Sequence, residues 1–390
     1  MMSLFDNTEF AFQAKSNQDL KKAHFLFKMI GNPFLTKLGG TVFGKLPFIV
    51  NLPLVKPLIK NTIYAQFVGG ETTSEAVKVA NDLYKFGVSS ILDYSVEGQT
   101  EEEDFDHVRD VMLELVDLAK NNPSIPFVVF KPTALGRIEL WEKIGNKASL
   151  SKAEQQSWEN TKQRFKSICA KGYEADVNIM VDAEETWMQD AADELTDEMM
   201  MKYNTKRPLI WNTLQMYRHD RLDYLKKMFA KAEKQNYFLG YKIVRGAYME
   251  KERALAEEKS YPSPIQPNKD ASDRDYNAAI EFITKHHQRF GLFAGTHNEH
   301  SCELLIQQMK KNQIDAHNPN FWFGQLYGMS DNISFNLAHL GYNIAKYLPY
   351  GPIKEVMPYL LRRAQENTSV AGQTGRELGL IEKEIKRRKV

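Results

Sequence analysis

Two adjacent arginines, Arg362 and Arg363, are the residues of this chain best suited to binding an anion. In a helix, successive residues advance by about 100°, which places Tyr359 and Glu366 on the same face as the arginine pair. Two guanidinium groups beside an aromatic ring can hold a planar carboxylate by two-point hydrogen bonding. Because the opposite side of this helix is apolar, the helix alone is better explained as a solvent-exposed arginine face. The elements that precede it decide between the two explanations.

Eight short β-rich segments alternate with helical patterns from about residue 88 onward. The segments are residues 90–95, 127–131, 177–182, 209–214, 241–245, 292–296, 322–326 and 343–347, and the clearest helical patterns are 103–121, 153–171, 219–235 and 273–290. Strands that alternate with helices over roughly 300 residues predict an α/β fold of the (β/α)8 barrel type. An open doubly wound sheet is the alternative, but no strand is followed by the Gly-x-Gly-x-x-Gly pattern of such sheets.

The first part of the chain has a different pattern. Residues 1–85 are rich in lysine, interrupted by proline and without a strand rhythm, so they are predicted to form an N-terminal helical arm, and residues 86–390 the barrel. The apolar segment 41–64 contains three prolines and three lysines, which argues against a transmembrane span. Contact with a membrane surface stays open. Segment 259–273, with three prolines, is predicted to be the long loop after strand five.

The bulk composition is that of a soluble globular enzyme. The 390 residues are 43% hydrophobic and 26% charged, and the formal net charge is +1. This charge, without a basic block, excludes a nucleic-acid-binding function. The only cysteines, Cys169 and Cys302, lie in unrelated contexts and indicate a reducing compartment without a disulfide framework. The N-terminus lacks the features of a secretion signal, so a cytoplasmic location is expected.

Polar side chains follow the end of almost every predicted strand. In (β/α)8 barrel enzymes the active-site residues lie at the carboxyl ends of the strands. Capping of strand ends explains one or two such residues but not a set that covers eight successive strands. The set comprises Asp93, Glu97, Lys131, Asp182, Glu184, Gln215, Arg245, Tyr248, Thr296, His297, Asn298, Gln325 and Tyr347.

Lys131 ends an apolar segment and is expected to point into the barrel or its mouth. A buried lysine costs several kcal/mol unless it is paired, so a carboxylate partner is expected. Asp182 and Glu184 are the candidates in the protein, and a substrate carboxylate is the third. The same lysine leaves open a class I aldolase, in which Lys131 would form a Schiff base.

Two other kinds of site are not supported. The histidines of segment 296–300 and the nearby carboxylates do not match the ligand spacing of a metal centre, so no metal is predicted. Segment 39–45 matches the first part of a phosphate-binding loop, but Leu46 stands where Ser or Thr would bind magnesium. It is read as a helix-breaking turn.

Seven segments carry a resemblance to a known family. They are Leu92–Glu97, Val181–Glu185, Thr213–Tyr217, Lys242–Tyr248, Gly295–Asn298, Gly324–Met329 and Tyr359–Asn367. In this order and spacing they resemble the proline dehydrogenase family, over about residues 88–375. The resemblance implies a distorted (β/α)8 barrel with FAD along its mouth. It also implies a monofunctional enzyme, because nothing here resembles the aldehyde dehydrogenase or DNA-binding modules of some bacterial relatives.

The activity that the resemblance implies is the oxidation of L-proline to 1-pyrroline-5-carboxylate by hydride transfer to FAD. This is the first step of proline catabolism to glutamate, and a membrane quinone is the implied electron acceptor. The implied location is the cytoplasm with peripheral contact at the inner membrane, or the mitochondrion if the source is eukaryotic. The oligomeric state cannot be read from the sequence.

The resemblance also assigns roles to residues. It implies that Arg362, Arg363 and Lys131 bind the proline carboxylate, and that Tyr347 and Tyr359 pack on the ring. It implies further that Leu326 forms an apolar wall, that Asp182 organises the electrostatics near the flavin, and that Glu97 belongs to a gate. The implied flavin contacts are Gln215, Lys242, Arg245, Gly246, Ala247, Tyr248, Lys269, Thr296, His297, Asn298, Gln325 and Glu366.

One departure from the commoner bacterial motif concerns two of these contacts. The bacterial motif reads Arg-Leu-Val-Lys-Gly-Ala-Tyr, whereas this chain has Lys242 at the arginine position and Arg245 at the lysine position, as in eukaryotic-like members. Which basic group lies nearest the flavin N5 atom therefore stays open. A proline bound with a neutral amine needs no dedicated base, and the rate should then rise between about pH 6 and 10. The phenol of Tyr347 over the ring is expected to exclude a 4-hydroxyl group.

Three rival functions remain besides this one. The aldolase has been described above. A different FAD barrel, of the methylenetetrahydrofolate reductase type, would need a folate-binding surface and no arginine pair. A non-enzymatic docking module would leave the polar residues at the strand ends unexplained.

Overall fold

Eight parallel strands form a closed barrel in chain order, in a computed structural model that describes residues 4–30, 57, 59–94, 100–369 and 373–390. Within these ranges the side chains of residues 30, 361–362, 364–369 and 373–374 are not described. The strands are β1 (Ser89–Tyr94), β2 (Phe127–Phe130), β3 (Asn178–Val181), β4 (Ile210–Gln215), β5 (Leu239–Val244), β6 (Phe290–Gly295), β7 (Phe321–Leu326) and β8 (Ile344–Tyr350). The predicted (β/α)8 barrel and its eight strands are confirmed.

Apart from the short helical segments Lys60–Tyr64, Ala65–Phe67 and Pro132–Ala134, the described helices precede β1, lie between the strands or follow β8. In chain order they are α1 (Thr8–Ala11), α2 (Asn17–Ile30), α3 (Thr73–Tyr84), α4 (Glu102–Lys120), α5 (Ile138–Gly145), α6 (Lys152–Ala175), α7 (Thr186–Tyr203), α8 (Arg221–Gln235), α9 (Met249–Glu258), α10 (Lys269–Lys285), α11 (Glu299–Lys311), α12 (Asp331–His339), α13 (Ile353–Ser369) and α14 (Gln373–Arg388). Among the described residues, every helix is too short or too polar to cross a bilayer.

The chain divides into two compact units. The central unit comprises the described residues of Gly98–Phe323, and the terminal unit those of Met1–Glu97 and Gly324–Val390. This division does not coincide with the predicted boundary at residue 85, which stays a prediction. The described part of the predicted arm is helical, and most of its apolar segment 41–64 lies outside the described residues.

Aromatic rings fill the interior of the barrel in the central unit. The Trp211 ring lies 5.2 Å from that of Phe127, which in turn lies 5.4 Å from that of Trp322, both in edge-to-face geometry. Two glycines make room for Trp211: a Cβ at Gly240 would lie 2.7 Å from its ring, and one at Gly291 2.4 Å. Inward-facing positions therefore include 211, 240 and 291, and side chains two residues further along each strand face inward too.

In the terminal unit, N-terminal and C-terminal helices share one hydrophobic core. Leu20 and Phe27 of α2 are buried in a cluster with Leu360 of α13 and Ile381 of α14. A π-helical turn, Lys60–Tyr64, joins this cluster, and its Tyr64 hydroxyl donates a hydrogen bond to the Gly351 carbonyl at 2.8 Å. The contact fixes the turn that immediately precedes helix α13.

The predicted loop 259–273 is too long. Helix α10 already begins at Lys269, because the side chain of Asn268 accepts a hydrogen bond from the Ala271 amide at 2.9 Å and caps the helix. Asp270 in the first turn adds a favourable charge. The residues from Lys269 to Asp273 are therefore held on a helix, which matters for the site.

Candidate active site

The first group of predicted site residues lies at the carboxyl ends of β2 to β5, in the central unit. Lys131 directly follows β2, and Asp182 directly follows β3. The Asp182 amide donates a hydrogen bond to the Phe130 carbonyl at 3.0 Å, which places Asp182 beside the residue that precedes Lys131. The two parallel strands pair in register as far as Phe130 and Val181.

Asp182 forms an ion pair with Lys242 from inside β5. The Lys242 ammonium donates to the Asp182 carboxylate, and only 6% of Lys242 is exposed. Lys242 lies two residues beyond Gly240 and so faces the barrel interior. The sequence offered Asp182 as a partner for Lys131, whereas the structure pairs it with Lys242, which the spacing along the chain did not indicate.

The other candidate partner, Glu184, anchors the turn after β2. Its two carboxylate oxygens accept from the Thr133 amide at 3.0 Å and from the Thr133 hydroxyl at 2.5 Å. Burial raises the pKa of Glu184 to about 7, although the Thr133 hydrogen bonds and the Lys131 charge act in the opposite direction. Glu184 therefore fixes the segment that carries Lys131.

Gln215 connects the end of β4 with two neighbouring segments. Its amide nitrogen donates to the Glu184 carbonyl at 2.7 Å, and its amide oxygen accepts from the Ala247 backbone N–H at 3.1 Å. Gln215 is 3% exposed. The predicted flavin contact thus also positions the turn that follows β5.

Arg245, at the end of β5, is held on several sides. Its Nε donates to Asp273 at 2.5 Å, one terminal nitrogen to the Thr296 hydroxyl at 2.8 Å, and the other to the Ser301 hydroxyl at 3.1 Å. The guanidinium carbon lies 4.5 Å from the centroid of the Tyr276 ring, a cation–π geometry. Three elements therefore fix the orientation of Arg245.

Asp273, Tyr276 and Ser301 were missed by sequence reasoning. Asp273 also accepts from the Lys269 ammonium at 2.5 Å, four residues earlier on α10. An acid and a lysine at this spacing are typical of a helix surface. The four-residue spacing of Lys269 and Asp273 is visible in the sequence, but it was not used because segment 259–273 was predicted to be a loop.

The residues around the Gly246 turn fit the phosphate-bearing part of a dinucleotide. Gly246 has φ +142°, and a Cβ there would lie 2.5 Å from the Tyr217 ring, so only glycine fits. Gly246 and Ala247 are exposed. The Ala247 N–H already binds Gln215, so the groups available to a ligand here are the exposed backbone of Gly246 and the two cations Arg245 and Lys269. This set suits phosphate.

The three remaining predicted flavin contacts near β5 and β6 lie where the next helices begin. Asn298 caps α11, since its side chain accepts from the Ser301 amide at 3.1 Å, and its own amide donates to the Thr296 hydroxyl. His297 lies between Thr296 and Asn298 and is half-buried, and Tyr248 immediately precedes α9. The structure brings these residues to the same end of the central unit.

The second group of predicted site residues lies in the terminal unit. Tyr359 and Arg363 lie on one face of α13, and the Arg363 guanidinium is 5.2 Å from the centroid of the Tyr359 ring. They are 8% and 9% exposed, so this face is not the freely solvated surface that the helix alone suggested. Tyr347 of β8 and Leu326 of β7 are half-buried, and Leu326 packs against the core of this unit.

Three predicted residues have no described side-chain position. Arg362 and Glu366 belong to α13, but their side chains lie outside the description, and Glu97 lies outside the described residues altogether. Their roles stay predictions.

Gln325 faces a helix. Its amide oxygen accepts from the Ser334 hydroxyl of α12 at 2.8 Å, and only 2% of the residue is exposed. Side chains of a strand alternate between its two sides, so Gln325 and Leu326 point in opposite directions. This placement gives no support to the predicted flavin contact of Gln325, which we leave out of the proposed site.

A buried ionic cluster in the terminal unit was not predicted. The Lys346 ammonium, 0% exposed, lies 2.9 Å from the Asp331 carboxylate, and Lys15 lies 3.4 Å from the other oxygen of Asp331. Glu377 of α14 accepts a hydrogen bond from the Ser330 amide, and burial raises its pKa to about 7. The cluster joins both ends of the chain to β8.

The family model described as proline dehydrogenase matches residues 76–376. The chain is 36% identical to the carbapenem antibiotics biosynthesis protein CarD of Pectobacterium carotovorum subsp. carotovorum, over 85% of each chain. It is 35% identical to the mitochondrial proline dehydrogenase 1 of Dictyostelium discoideum, over 86% of this chain and 67% of that one. It is 32% identical to the hydroxyproline dehydrogenase of Xenopus laevis, over 97% and 88%.

A solved structure shares the fold. The crystal structure of proline utilization A from Bdellovibrio bacteriovorus matches with a TM-score of 0.71 at 20% identity. The match covers 94% of this chain and 37% of that one, so the chain spans little more than a third of the larger protein. At this identity the likeness concerns the barrel alone.

Proposed function

Because this chain belongs to the proline dehydrogenase family, we propose that it oxidises L-proline to 1-pyrroline-5-carboxylate with FAD as its bound cofactor. The observation that carries the proposal is the donor set around the exposed Gly246 turn, where Arg245 and Lys269 are joined through Asp273. Such a set suits the diphosphate of a dinucleotide, which the aldolase alternative does not require.

The cofactor, when bound, supplies the oxidation of the substrate C–H bond. The chain itself supplies orientation and charge. Arg245, Lys269 and Thr296 would hold the phosphates, and the bare backbone of Gly246 would permit their close approach. The Lys242–Asp182 pair, buried inside the central unit, would provide a fixed charge arrangement beside the reacting groups.

The substrate assignments rest on the sequence resemblance and on the shared face of α13. Arg362 and Arg363 would bind the carboxylate of proline, with Lys131 as a third cation, and Tyr359 and Tyr347 would contact its ring. The buried setting of Arg363 and Tyr359 supports such a role, because charge-assisted hydrogen bonds are strongest where water is scarce.

The electron acceptor is proposed to be a membrane quinone, from the resemblance alone. The apolar, lysine-containing segment 41–64 would bring the enzyme to the surface of the inner membrane, whether bacterial or mitochondrial. Loss of vesicle binding on deletion of this segment would support the proposal, and unchanged binding would contradict it.

An absorbance spectrum of the purified protein, recorded before and after anaerobic addition of proline, tests the proposed function. We expect flavin bands near about 450 nm that bleach with proline. They should bleach far less with 4-hydroxyproline, because the Tyr347 phenol is proposed to exclude the hydroxyl group. The 32% identity to a hydroxyproline dehydrogenase makes this comparison necessary. Equal bleaching by both would overturn the assigned specificity, and a protein that cannot bind FAD would overturn the function.

Replacing Arg363 with alanine is expected to raise KM for proline about tenfold or more. A charge-assisted hydrogen bond to a carboxylate contributes about 1.5–3 kcal/mol, which corresponds to this factor or more. Steady-state kinetics with an artificial acceptor measures the change. Arg109→Ala is the matched control, because Arg109 binds Asp106 at 3.0 Å on the outside of the central unit. An unchanged KM in Arg363→Ala would remove this arginine from the substrate site.

A further inference from the structure

Asp273 contacts both of the cations that we assign to the cofactor's phosphates. One carboxylate oxygen accepts from the Arg245 Nε at 2.5 Å, and the other accepts from the Lys269 ammonium at 2.5 Å. Burial alone would favour the protonated acid, but the hydrogen bonds from Lys269 and Arg245 outweigh it and lower the pKa of Asp273. Asp273 is therefore an anion between two cations at neutral pH.

The position of Asp273 is rigid. It lies in the second turn of α10, whose start is fixed by the Asn268 cap. Tyr276, on the same side of the helix, is fully buried and supports the guanidinium of Arg245 from one face. Helix α10 therefore fixes the backbone from which the Asp273 carboxylate reaches the Arg245 Nε.

The remaining contacts of Arg245 complete this orientation. Thr296 and Ser301 accept from the two terminal nitrogens, and the Ser301 hydroxyl in turn donates to the Asn277 amide oxygen at 2.8 Å. Because a long arginine side chain has many rotamers, fixing it before the ligand arrives reduces the entropy lost on binding. The Asp273 contact is the one that also reaches Lys269, through its second oxygen, and we expect it to matter most.

Resting on the proposed function, we propose that Asp273 is a positioning residue of the FAD diphosphate site. It orients Arg245 and Lys269 toward the exposed Gly246 turn, and it offsets the charge of one of them. Asp273 touches no reacting atom in this scheme.

The test is the affinity of the flavin-free full-length protein for FAD, measured by quenching of flavin fluorescence. Asp273→Ala is expected to raise the Kd at least about tenfold, because the Arg245 Nε loses the hydrogen-bond acceptor that orients the guanidinium. Asp273→Asn is expected to stay within about threefold of the unchanged protein, because its amide oxygen can still accept from the Arg245 Nε. A nearly normal Kd in Asp273→Asn would show that the hydrogen bond that orients Arg245 matters and that the negative charge does not. At saturating FAD, KM for proline should be unchanged in both variants.

A matched control comes from the same unit. Asp176 accepts from the Arg207 guanidinium at 2.6 Å, but its side chain is 80% exposed and far along the chain from the Gly246 turn. Asp176→Ala should leave the Kd for FAD unchanged. Melting temperatures of all variants without FAD show whether a change in Kd reflects general loss of stability.

The outcomes for the positioning role of Asp273 and for the proposed function can be told apart. A Kd that is unchanged in Asp273→Ala, or that falls in both variants because a repelling anion has been removed, would overturn the positioning role. A lower melting temperature with an unchanged Kd would overturn it too. If the unchanged protein binds FAD and is reduced by proline, the proposed function stands whatever the variants do. If it binds no FAD, the proposed function is wrong and the role of Asp273 is wrong with it.

Discussion

Replacing Lys346 with methionine is expected to lower the free energy of unfolding by about 3–5 kcal/mol, because it removes one partner of a buried ion pair. Lys346 is completely buried, and its ammonium lies 2.9 Å from the Asp331 carboxylate. Without it, the ionic partner that Asp331 keeps among the described residues is Lys15, at the longer distance of 3.4 Å, in a place where water cannot compensate the charge. Urea unfolding followed by circular dichroism measures the difference.

Two further variants make this result specific. Lys85→Met removes a lysine from a pair with Asp82 whose side chains are 70% and 55% exposed, and it should change the stability by less than about 1 kcal/mol. The double variant Lys346→Met/Asp331→Asn should lose less than the sum of the two single variants, because it removes both charges of the closest pair together. A loss below about 1 kcal/mol for Lys346→Met would contradict this prediction, because it would show that the cluster tolerates an Asp331 carboxylate without Lys346.

Removing the carboxylate of Asp182 is expected to lower kcat/KM for proline about 100-fold, or about 2.7 kcal/mol of transition-state stabilisation. Asp182 accepts from Lys242, which is 6% exposed and faces the barrel interior. Without this carboxylate the ammonium loses its fixed position and its neutralising charge. An electrostatic arrangement that is no longer preorganised stabilises the transition state less.

The Asp182 prediction is checked with Asp182→Ala, Asp182→Asn and a control. Asparagine keeps the shape and one oxygen acceptor without the charge, so its kcat/KM should lie between those of alanine and the unchanged enzyme. Asp117→Ala removes a carboxylate that is 62% exposed and pairs with Lys171, and it should have no effect. The flavin content of each variant, measured by absorbance, shows whether a lower kcat/KM reflects slower oxidation of proline or a loss of bound FAD. Activity within about threefold of normal in Asp182→Ala would refute the assigned role.

Relatives of this chain carry different names, and this limits what the fold can say about substrate. Proteins named for proline oxidation, hydroxyproline oxidation and carbapenem biosynthesis are 32–36% identical to it over most of their length. Similarity at this level therefore does not name the substrate, as expected when function resides in individual side chains of a site. The comparison of proline with 4-hydroxyproline is the most informative one for this chain.

The sequence by itself determined the barrel and the arginine helix. Strands and helices leave periodic patterns of apolar residues over short stretches, so their positions could be predicted without knowing what they pack against. Tyr359 and Arg363 share a face because they are four residues apart on one helix, which is also a local property. Even the cap at Asn268 and the Lys269–Asp273 spacing were readable, although proline-rich composition led to the prediction of a loop there.

Only the tertiary structure decided which side chains meet. Lys242 and Asp182 come from different strands, and Lys15, Asp331 and Lys346 are joined from distant parts of the chain. Their pairing depends on strand register and on which alternate side chains face inward, and a shift of one residue would reverse both. The same alternation turned Gln325 toward α12. The local sequence pattern specifies each helix and strand, but packing decides which charged side chains pair. The energy of an ion pair depends on the distance between its two charges, and only the assembled core sets that distance.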